Sequence, residues 1–208
     1  MIQIETFALG ELFTNCFLVW DDSTLAGAII DPGGDPASVI EFCADNSIEP
    51  AVILATHGHF DHIGGVGILK NTWDIPYGIS SLDEIHYGNM NVQAQIFGCT
   101  SLPEPPLPDI DLSEKIEAGG GGLSFEVVLT PGHSEGSVSF IMDDNIFCGD
   151  LIFQGSIGRT DFPGGDMESL LTSVRDFIFP VESGRLFPGH GPMTDVCTEK
   201  MYNPFFQE

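Results

Sequence analysis

The sequence predicts an α+β protein in which two β-sheets pack face to face and helices cover their outer sides. Two observations favour this fold class: segments with strand character come in two groups along the chain, and a segment with helical spacing lies within each group. The chain has 208 residues, of which 42% are hydrophobic. That length and composition are sufficient for a buried core. We therefore expect a single domain over residues 1–208.

The first half of the chain opens like a β-meander and continues into alternating helices and strands. The turn Asp31-Pro32-Gly33-Gly34-Asp35 precedes a helix that runs to about Ala44, and either Asp35 or Ser38 can cap it. A further helix is expected over residues 63–71, and short helical pieces over 81–98. The predicted strands, from apolar or alternating runs bounded by turn residues, are 2–7, 16–20, 26–30, 51–55 and 75–80.

The second half of the chain again combines strands with a helix, and it begins after an extended loop. Four prolines in residues 102–108 predict that loop. Apolar residues at helical spacing predict a helix over 167–179, with Asp166 at its cap. The expected strands are 115–118 and 123–129, joined through the glycine run 119–122, then 138–142 and 145–148 as a hairpin over Asp143-Asp144, and finally 186–187.

A turn rich in histidine follows the apolar run 51–55. It holds three of the chain's six histidines, together with Asp61. His57 and His59 are two positions apart and point to the same side of an extended backbone. Asp61 and His62 follow where the chain turns, so they can face a second point. Imidazole and carboxylate groups are ligands for zinc and similar ions. The turn therefore predicts two metal positions, in preference to a solvated polar loop.

Three more polar residues follow apolar strands, and a glycine stands directly before each of them. They are His133, Asp150 and His190. Glycine lets the backbone turn sharply and approach an ion. Each residue alone is also explained as a turn residue, but with the first cluster they complete a set of seven nitrogen and oxygen ligands. His86, the remaining histidine, has no ligand neighbours and is assigned to surface or core packing.

The net charge limits the kinds of partner. The chain has 31 acidic and six basic residues, a formal charge of -25. This charge repels nucleic acid and anionic membranes, so we expect a small-molecule substrate and no nucleic-acid or membrane partner. Residues 1–10 lack the basic start of a secretory signal, and no apolar run reaches the length of a membrane span. Five scattered cysteines favour a reducing cytoplasm. The oligomeric state is left open.

These motifs resemble those of the metallo-β-lactamase fold superfamily. The H-x-H-x-D-H element stands at residues 57–62, and the remaining ligand motifs stand at 130–134, 149–153 and 188–191. Within the superfamily the chain is most similar to the short glyoxalase II-like hydrolases, through residues 156–165 and the segment Asn203-Pro204-Phe205. The resemblance covers nearly the whole chain.

The resemblance implies a four-layer αβ/βα sandwich of two mixed β-sheets, with two divalent metal ions at one edge. Zinc is the expected metal, and iron or manganese is the alternative. Asp150 would bridge the two ions. The other implied ligands are His57, His59 and His133 for the first ion, and Asp61, His62 and His190 for the second.

The function implied is hydrolysis of S-acyl (hydroxyacyl) glutathione-type thioesters. Two metals about 3.5–4 Å apart can share a hydroxide, and Asp61 would orient it as the catalytic residue. Arg159 is the candidate substrate contact, with a structural pair to Asp161 as the alternative. Longer glyoxalase II enzymes add a helical domain that helps hold glutathione, whereas 18 residues follow His190 in this chain. The way in which the longer enzymes bind glutathione therefore does not directly apply to this chain.

Three other functions stay open for the same residues. The site could hydrolyse lactones. It could be a persulfide dioxygenase, which keeps one iron on two histidines and a carboxylate and resembles this chain at residues 158–162. It could also be a metal-stabilised binding module without activity. A β-lactamase proper is not expected, because no cysteine stands at the position of Asp150.

Overall fold

Six strands form the first sheet, and their order across the sheet follows their order along the chain. The computed structural model describes residues 1–207. The first three strands pair antiparallel, as the predicted meander requires, and the next three are added in parallel. The strands are β1 (Ile2–Leu9), β2 (Thr14–Asp21), β3 (Ala26–Ile30), β4 (Glu49–Leu54), β5 (Tyr77–Ile79) and β6 (Ile110–Asp111).

Helices make the crossovers between the parallel strands of this sheet, because parallel neighbours need a long connection. The helix before β4 begins after Pro36, and the exposed Asp35 accepts a hydrogen bond from the Ala37 amide at 3.0 Å. The helices of this half are α1 (Ala37–Asn46), α2 (Phe60–Ile63), α3 (Val66–Trp73), α4 (Glu84–Tyr87) and α5 (Met90–Ile96), with a 3₁₀ turn at Ser81–Asp83.

The second sheet also has six strands and is mixed. Its order is β14-β13-β10-β9-β8-β7, with a parallel pair between β10 and β13 and antiparallel pairs elsewhere. Its strands are β7 (Glu117–Gly120), β8 (Leu123–Leu129), β9 (Val138–Met142), β10 (Asn145–Gly149), β13 (Arg185–Pro188) and β14 (Thr194–Asp195). The short hairpin β11 (Ile152–Phe153) and β12 (Ser156–Ile157) stands apart, and the helices are α6 (Met167–Ser173) and α7 (Val196–Tyr202).

Three apolar clusters define four layers. The central cluster lies between the sheets, with Phe17 from β2 against Phe147 and Phe187 from the second sheet. Alternate residues of the same strands point outward, so Leu18 packs under the first group of helices and Ile146 under the second. The fold is therefore the expected αβ/βα sandwich of two mixed sheets with outer helices.

Several elements differ from the sequence prediction at short or irregular segments. The single helix expected over 63–71 is two helices, α2 ending at Ile63 and α3 beginning at Val66, with Gly64 and Gly65 between them. The strand expected over 115–118 extends into the glycine run as Glu117–Gly120. The helix expected over 167–179 changes after Ser173 into a wider π-helical turn at Val174–Ile178. Elements not foreseen are β6, β11, β12, β14 and α7.

No helix within residues 1–207 combines the length and the apolar character needed to cross a bilayer.

Candidate metal centre

All seven predicted ligands lie at one edge of the two sheets. In the first sheet, β3 and β4 run in parallel, and the histidine turn follows β4. In the second sheet, β8 and β10 both pair antiparallel with β9 and therefore run the same way, and β13 is parallel to β10. The ends of β8, β10 and β13 consequently meet at a single edge. His133, Asp150 and His190 follow these three ends.

The first ligand group combines the histidine turn with the loop after β8. One nitrogen each of His57, His59 and His133 lies within 4.8 Å of the others. His59 Nδ1 is 2.8 Å from His133 Nε2, so the two rings present these atoms to one point. All three side chains are buried. Three imidazoles that converge in this way form a divalent-metal site of ordinary composition.

The second group combines the start of α2 with the loop after β13. His190 Nε2 lies 3.1 Å from Asp61 Oδ2, and His62 Nε2 lies 3.8 Å from the same oxygen. The three ligand atoms fall within 4.8 Å of one another. His59 and Asp61 therefore belong to different groups, although only one residue separates them. The turn of α2 between them redirects the chain, as the two-position prediction requires.

Asp150 lies between the two groups. Its Oδ2 is 3.5 Å from His133 Nε2 in the first group and 3.7 Å from His190 Nε2 in the second. Its Oδ1 is 3.3 Å from His62 Nε2. One carboxylate is thus within reach of both ligand groups, which is the placement expected of a bridging ligand.

The buried polar atoms of this cluster fit bound cations. His57 Nε2, His62 Nε2 and Asp150 Oδ1 are buried without a hydrogen-bond partner among the described residues. A buried polar atom without a partner is costly, and a coordinated ion satisfies it. The donor set of five imidazoles and two carboxylates suits zinc, iron or manganese.

The electrostatics of the cluster also favour positive charge. Burial disfavours the charged form of Asp150, but the nearby charge of His62, followed by His133 and His190, outweighs burial and holds the pKa of Asp150 well below its usual value. Burial likewise opposes charge on His62, yet the carboxylates around it raise the pKa of His62 well above its usual value. His57 has no such balance: burial and then neighbouring histidines hold its pKa well below the usual value. His57 is therefore neutral, the form that binds a metal.

A buried carboxylate behind the ligands fixes two of the rings. Asp31 Oδ2 lies 2.9 Å from His62 Nδ1 and accepts a hydrogen bond from Thr56 Oγ1 at 2.7 Å. The Thr56 hydroxyl is in turn 3.0 Å from His57 Nδ1. These contacts leave the Nε2 atoms of both rings for an ion, since a histidine ligand is oriented through its other nitrogen.

Two further supports hold the loops themselves. Asp83 accepts hydrogen bonds from the Gly58 amide at 2.8 Å and the Gly136 amide at 2.7 Å, so it ties the two loops of the first ligand group together. The Thr14 hydroxyl donates to Asp61 Oδ2 at 3.1 Å. Asp31 follows an apolar strand in the same way as the ligands do, and that signal could have identified it. Nothing in the sequence marks Thr14 or Asp83.

The two remaining candidates lie at the cavity of about 540 Å³ that opens above the ligands. Arg159 donates to both oxygens of Asp161, at 2.9 and 2.7 Å, which is the structural pair given as the alternative. It also lines this cavity, and its contact with a substrate stays a prediction. Its carbonyl oxygen lies 2.7 Å from His133 Nδ1. His86 is buried beside His59, with ring centroids 4.6 Å apart, which agrees with a packing role.

Comparison with known proteins agrees with this geometry. The sequence pattern of the Metallo-beta-lactamase superfamily matches this chain over residues 9–190. The hydroxyacylglutathione hydrolase GloC of Haemophilus influenzae is 37% identical, with 98% of each chain covered. The crystal structure of the B3 metallo-beta-lactamase BLEG-1 superimposes with a TM-score of 0.90 at 35% identity, over 99% of this chain and 100% of the other.

A second solved structure was determined with metal bound. TTHA1623, crystallised in a di-iron-bound form, matches with a TM-score of 0.88 at 36% identity, over 97% of this chain and 99% of that one. Both solved structures thus share the fold of this chain over essentially their whole length. With its His and Asp cluster at the edge of a sandwich of two sheets, the chain belongs to the metallo-beta-lactamase superfamily and is a metal-dependent hydrolase of that superfamily.

Proposed function

We propose that this protein is a thioesterase of the glyoxalase II type, which cleaves S-acyl (hydroxyacyl) glutathione-type thioesters. The observation that carries the proposal is the pair of three-ligand groups with Asp150 between them, at the floor of an open cavity. Two adjacent metal positions suit hydrolysis of an acyl compound. The 37% identity to the hydroxyacylglutathione hydrolase of Haemophilus influenzae supports the same class of substrate.

The chemistry divides between the ions and the chain. Two bound divalent ions would lower the pKa of a water nucleophile to roughly 7 and offset the negative charge that develops on the substrate carbonyl. Asp61, held by Thr14, would orient that water toward the acyl carbon. We propose zinc as the metal, with iron or manganese as alternatives. The residues that would hold the ions are His57, His59 and His133 on one side, Asp61, His62 and His190 on the other, and Asp150 between them.

The leaving group favours a thioester over an amide. A thiolate leaves without prior protonation, because its parent thiol has a pKa of about 8.5. An amine must be protonated to leave. His86 is the one histidine outside the ligand set, and although it lines the cavity, burial lowers the pKa of its imidazole, which leaves it uncharged and a poor proton donor. The described residues around the cavity therefore lack a histidine acid, which amide hydrolysis would need more than thioester hydrolysis.

The test combines metal analysis with a substrate panel. We expect about two metal ions per chain and faster cleavage of S-lactoylglutathione than of a lactone. Asp150→Ala should lose the bridge and most of the activity, while replacement of the exposed Asp144, in the turn before β10, by alanine should leave the activity as in the wild type. One iron per chain with oxygen uptake on a persulfide would instead identify a dioxygenase. Full turnover by Asp150→Ala would reject the proposed mechanism.

Hydrolysis of β-lactams is a second candidate function, although the sequence does not lead us to expect it because position 150 is an aspartate and not a cysteine. BLEG-1 bears the name of a B3 metallo-beta-lactamase and is 35% identical to this chain over nearly its full length. A chromogenic cephalosporin belongs in the same panel for that reason. Cleavage of the cephalosporin at a higher kcat/KM than S-lactoylglutathione would replace the thioesterase proposal.

We propose the cytoplasm as the compartment and a small molecule as the partner. All five cysteines are free, and three of them are buried. Free thiols persist in a reducing compartment. Fractionation of the source cells with an antibody to the protein would check this, and recovery from an oxidising compartment would contradict it.

A further inference from the structure

The cavity above the ligands has walls that are largely apolar. Ile85 of α4 is 61% exposed, Ile96 at the end of α5 is 76% exposed, and Phe97 is 45% exposed. Single exposed apolar residues are ordinary, whereas a contiguous group marks a binding surface. The group, which we call the apolar wall, consists of Leu12, Ile85, Ile96, Phe97, Phe153 and Phe162.

Aromatic rings connect this wall to the ligands. The rings of Phe97 and Phe162 lie 6.0 Å apart, and Phe162 lies 5.5 Å from the ring of His59. Phe153, also of the apolar wall, lies 6.2 Å from the ring of His190 in the second ligand group. A group packed on the wall would therefore sit directly beside a scissile bond held at the ligands.

Outside the metal ligands, the walls of the cavity offer a single cationic side chain to an anionic group of a substrate. The chain has three lysines and three arginines, and Arg159 is the one among them that lines the cavity. Its guanidinium is engaged twice by Asp161 and stacks on Phe162, 4.2 Å from the ring centroid. Glutathione carries two carboxylates, which would have to compete with Asp161 for this single cation. They would also approach a chain whose formal charge is -25.

We propose that the substrate carries an uncharged apolar arm that packs on the apolar wall while the scissile thioester lies at the ligands. This rests on the proposed thioesterase function and specifies its substrate class. The arm belongs to either the acyl group or the thiol, and both supply the same apolar surface. Full burial of a methylene group raises the transition-state affinity up to about fourfold, and partial burial on an open wall raises it by less.

Two substrate series separate the sources of the arm. In the first, the thiol is glutathione and the acyl group lengthens from acetyl to butyryl to hexanoyl. In the second, the acyl group is acetyl and glutathione is replaced by N-acetylcysteamine and then by hexanethiol. We expect kcat/KM to rise roughly 10- to 100-fold along one of the two series. A rise in the first places the arm on the acyl group, and a rise in the second places it on the thiol.

A pair of variants on one helix ties the effect to the wall. Ile96→Gln should lower kcat/KM for the preferred long substrate roughly tenfold and change the preference between long and short substrates. Val92→Gln alters a residue of α5 that is 56% exposed and outside the cavity, so its preference should match the wild type. Both side chains are exposed, so neither change should unfold the protein.

Three results would overturn the proposal. If short S-acyl glutathiones are hydrolysed and neither series raises kcat/KM, the thioesterase assignment stands and the apolar arm is wrong. If no thioester is cleaved by protein with a full metal complement, the proposed function itself fails and the arm fails with it. If chain length has no effect and Ile96→Gln converts a dimer into a monomer, the wall is a surface for self-association.

Discussion

Asp31 lies outside the ligand motif but orients two of the ligands. It is fully buried at the end of β3, and its carboxylate accepts hydrogen bonds from the amide and the hydroxyl of Thr56 while facing His62 Nδ1 at 2.9 Å. One carboxylate thus orients a ligand of each metal group, His62 directly and His57 through Thr56. Contacts of this kind fix the ring that binds the ion.

The first prediction is that Asp31→Asn weakens metal binding without unfolding the protein. Asp31 has a φ of +52°, which asparagine tolerates, so the backbone should persist. Both oxygens of Asp31 face donors, the Thr56 amide at Oδ1 and Thr56 Oγ1 with His62 Nδ1 at Oδ2. The side-chain amide of asparagine replaces one of these acceptors by a donor, so metal affinity should fall roughly 10- to 100-fold. Competition with a chelator measures the affinity. Asp35→Asn, in the same turn but exposed, is the control, and equal affinities of the two variants would contradict the prediction.

Only glycine fits at position 189, because a side chain there would clash with two ligands. A Cβ atom there would lie 2.4 Å from Asp150 Oδ1 and 2.5 Å from His62 Cε1, both far inside contact distance. The glycines before His133, Asp150 and His190 are expected to let the backbone turn sharply and approach an ion. The sharp turn applies to Gly149, with a φ of +50°, and the close approach of the backbone to two ligands applies to Gly189.

The second prediction is that Gly189→Ala disrupts the metal centre. The methyl group should push Asp150 away from its bridging position, with fewer than two metal ions per chain and a roughly 100-fold loss of activity. Elemental analysis and the thioesterase assay measure both effects. Gly122→Ala is the control, because it strains a backbone with a φ of +91° far from the site, where a Cβ would meet nothing within 4 Å. Metal loss in both variants alike would show that general destabilisation is the cause.

At the scale of elements, period and length decide what the sequence can predict. The strands β2, β3, β4, β8, β9 and β10 are runs of five or more residues with clear apolar character, and all were predicted. The strands β6, β11, β12 and β14 have two residues each, too few to show alternation. They form because a neighbouring strand or loop supplies their partners, and that information is not local. The sequence prediction does not include helix α7, although an N-cap aspartate is a recognisable helix start. In the structure Asp195 caps this helix by accepting a hydrogen bond from the Thr198 amide at 2.8 Å.

The end of α1 carries an unfavourable arrangement of charge. Glu41 and Asp45 are four positions apart on this helix, both are exposed, and no basic residue lies in its last turn. Like charges at this spacing repel, and a negative charge near a helix C-terminus opposes the helix dipole. Neither carboxylate contributes to the site.

The third prediction is that Asp45→Lys raises the melting temperature by about 1–3 °C. The lysine replaces repulsion by attraction to Glu41 and complements the dipole. Asp45→Asn removes the repulsion alone and should give a smaller rise. Thermal unfolding followed by circular dichroism measures both, and the gain should shrink in high salt. A melting temperature for Asp45→Lys that is equal to or below that of the wild type would show that the helix end is not strained by charge.

At the scale of the whole molecule, the sequence predicts the layers but not how the sheets meet. The sequence identifies each strand that is followed by a polar residue, one strand at a time. Their convergence depends on β8, β10 and β13 running the same way in one sheet and on that sheet facing β4 in the other. Those pairings join residues far apart in the chain, and the ligand assignment was therefore available only from resemblance to a family. Contacts such as the bond of the Asn15 amide to the Gly189 carbonyl, at 2.7 Å, then join the two sheets at the site.

The charge of the whole molecule leads to the last prediction, which is that salt stabilises the fold. A formal charge of -25 on 208 residues creates self-repulsion in the compact state. The screening length falls from about 30 Å in 0.01 M salt to about 3 Å in 1 M salt. The melting temperature of the metal-loaded protein should therefore rise by several degrees between these conditions.

A variant with fewer surface charges separates screening from other effects of salt. Neutralising the exposed acids Glu41, Asp45, Glu126, Asp143 and Asp144 as their amides removes five negative charges at positions outside the cavity. This variant should melt at a higher temperature than the wild type in low salt, and its melting temperature should depend less on salt, because less repulsion is left to screen. If salt raised both melting temperatures by the same amount, its action would lie in exclusion from the protein surface rather than in screening of the acidic charge.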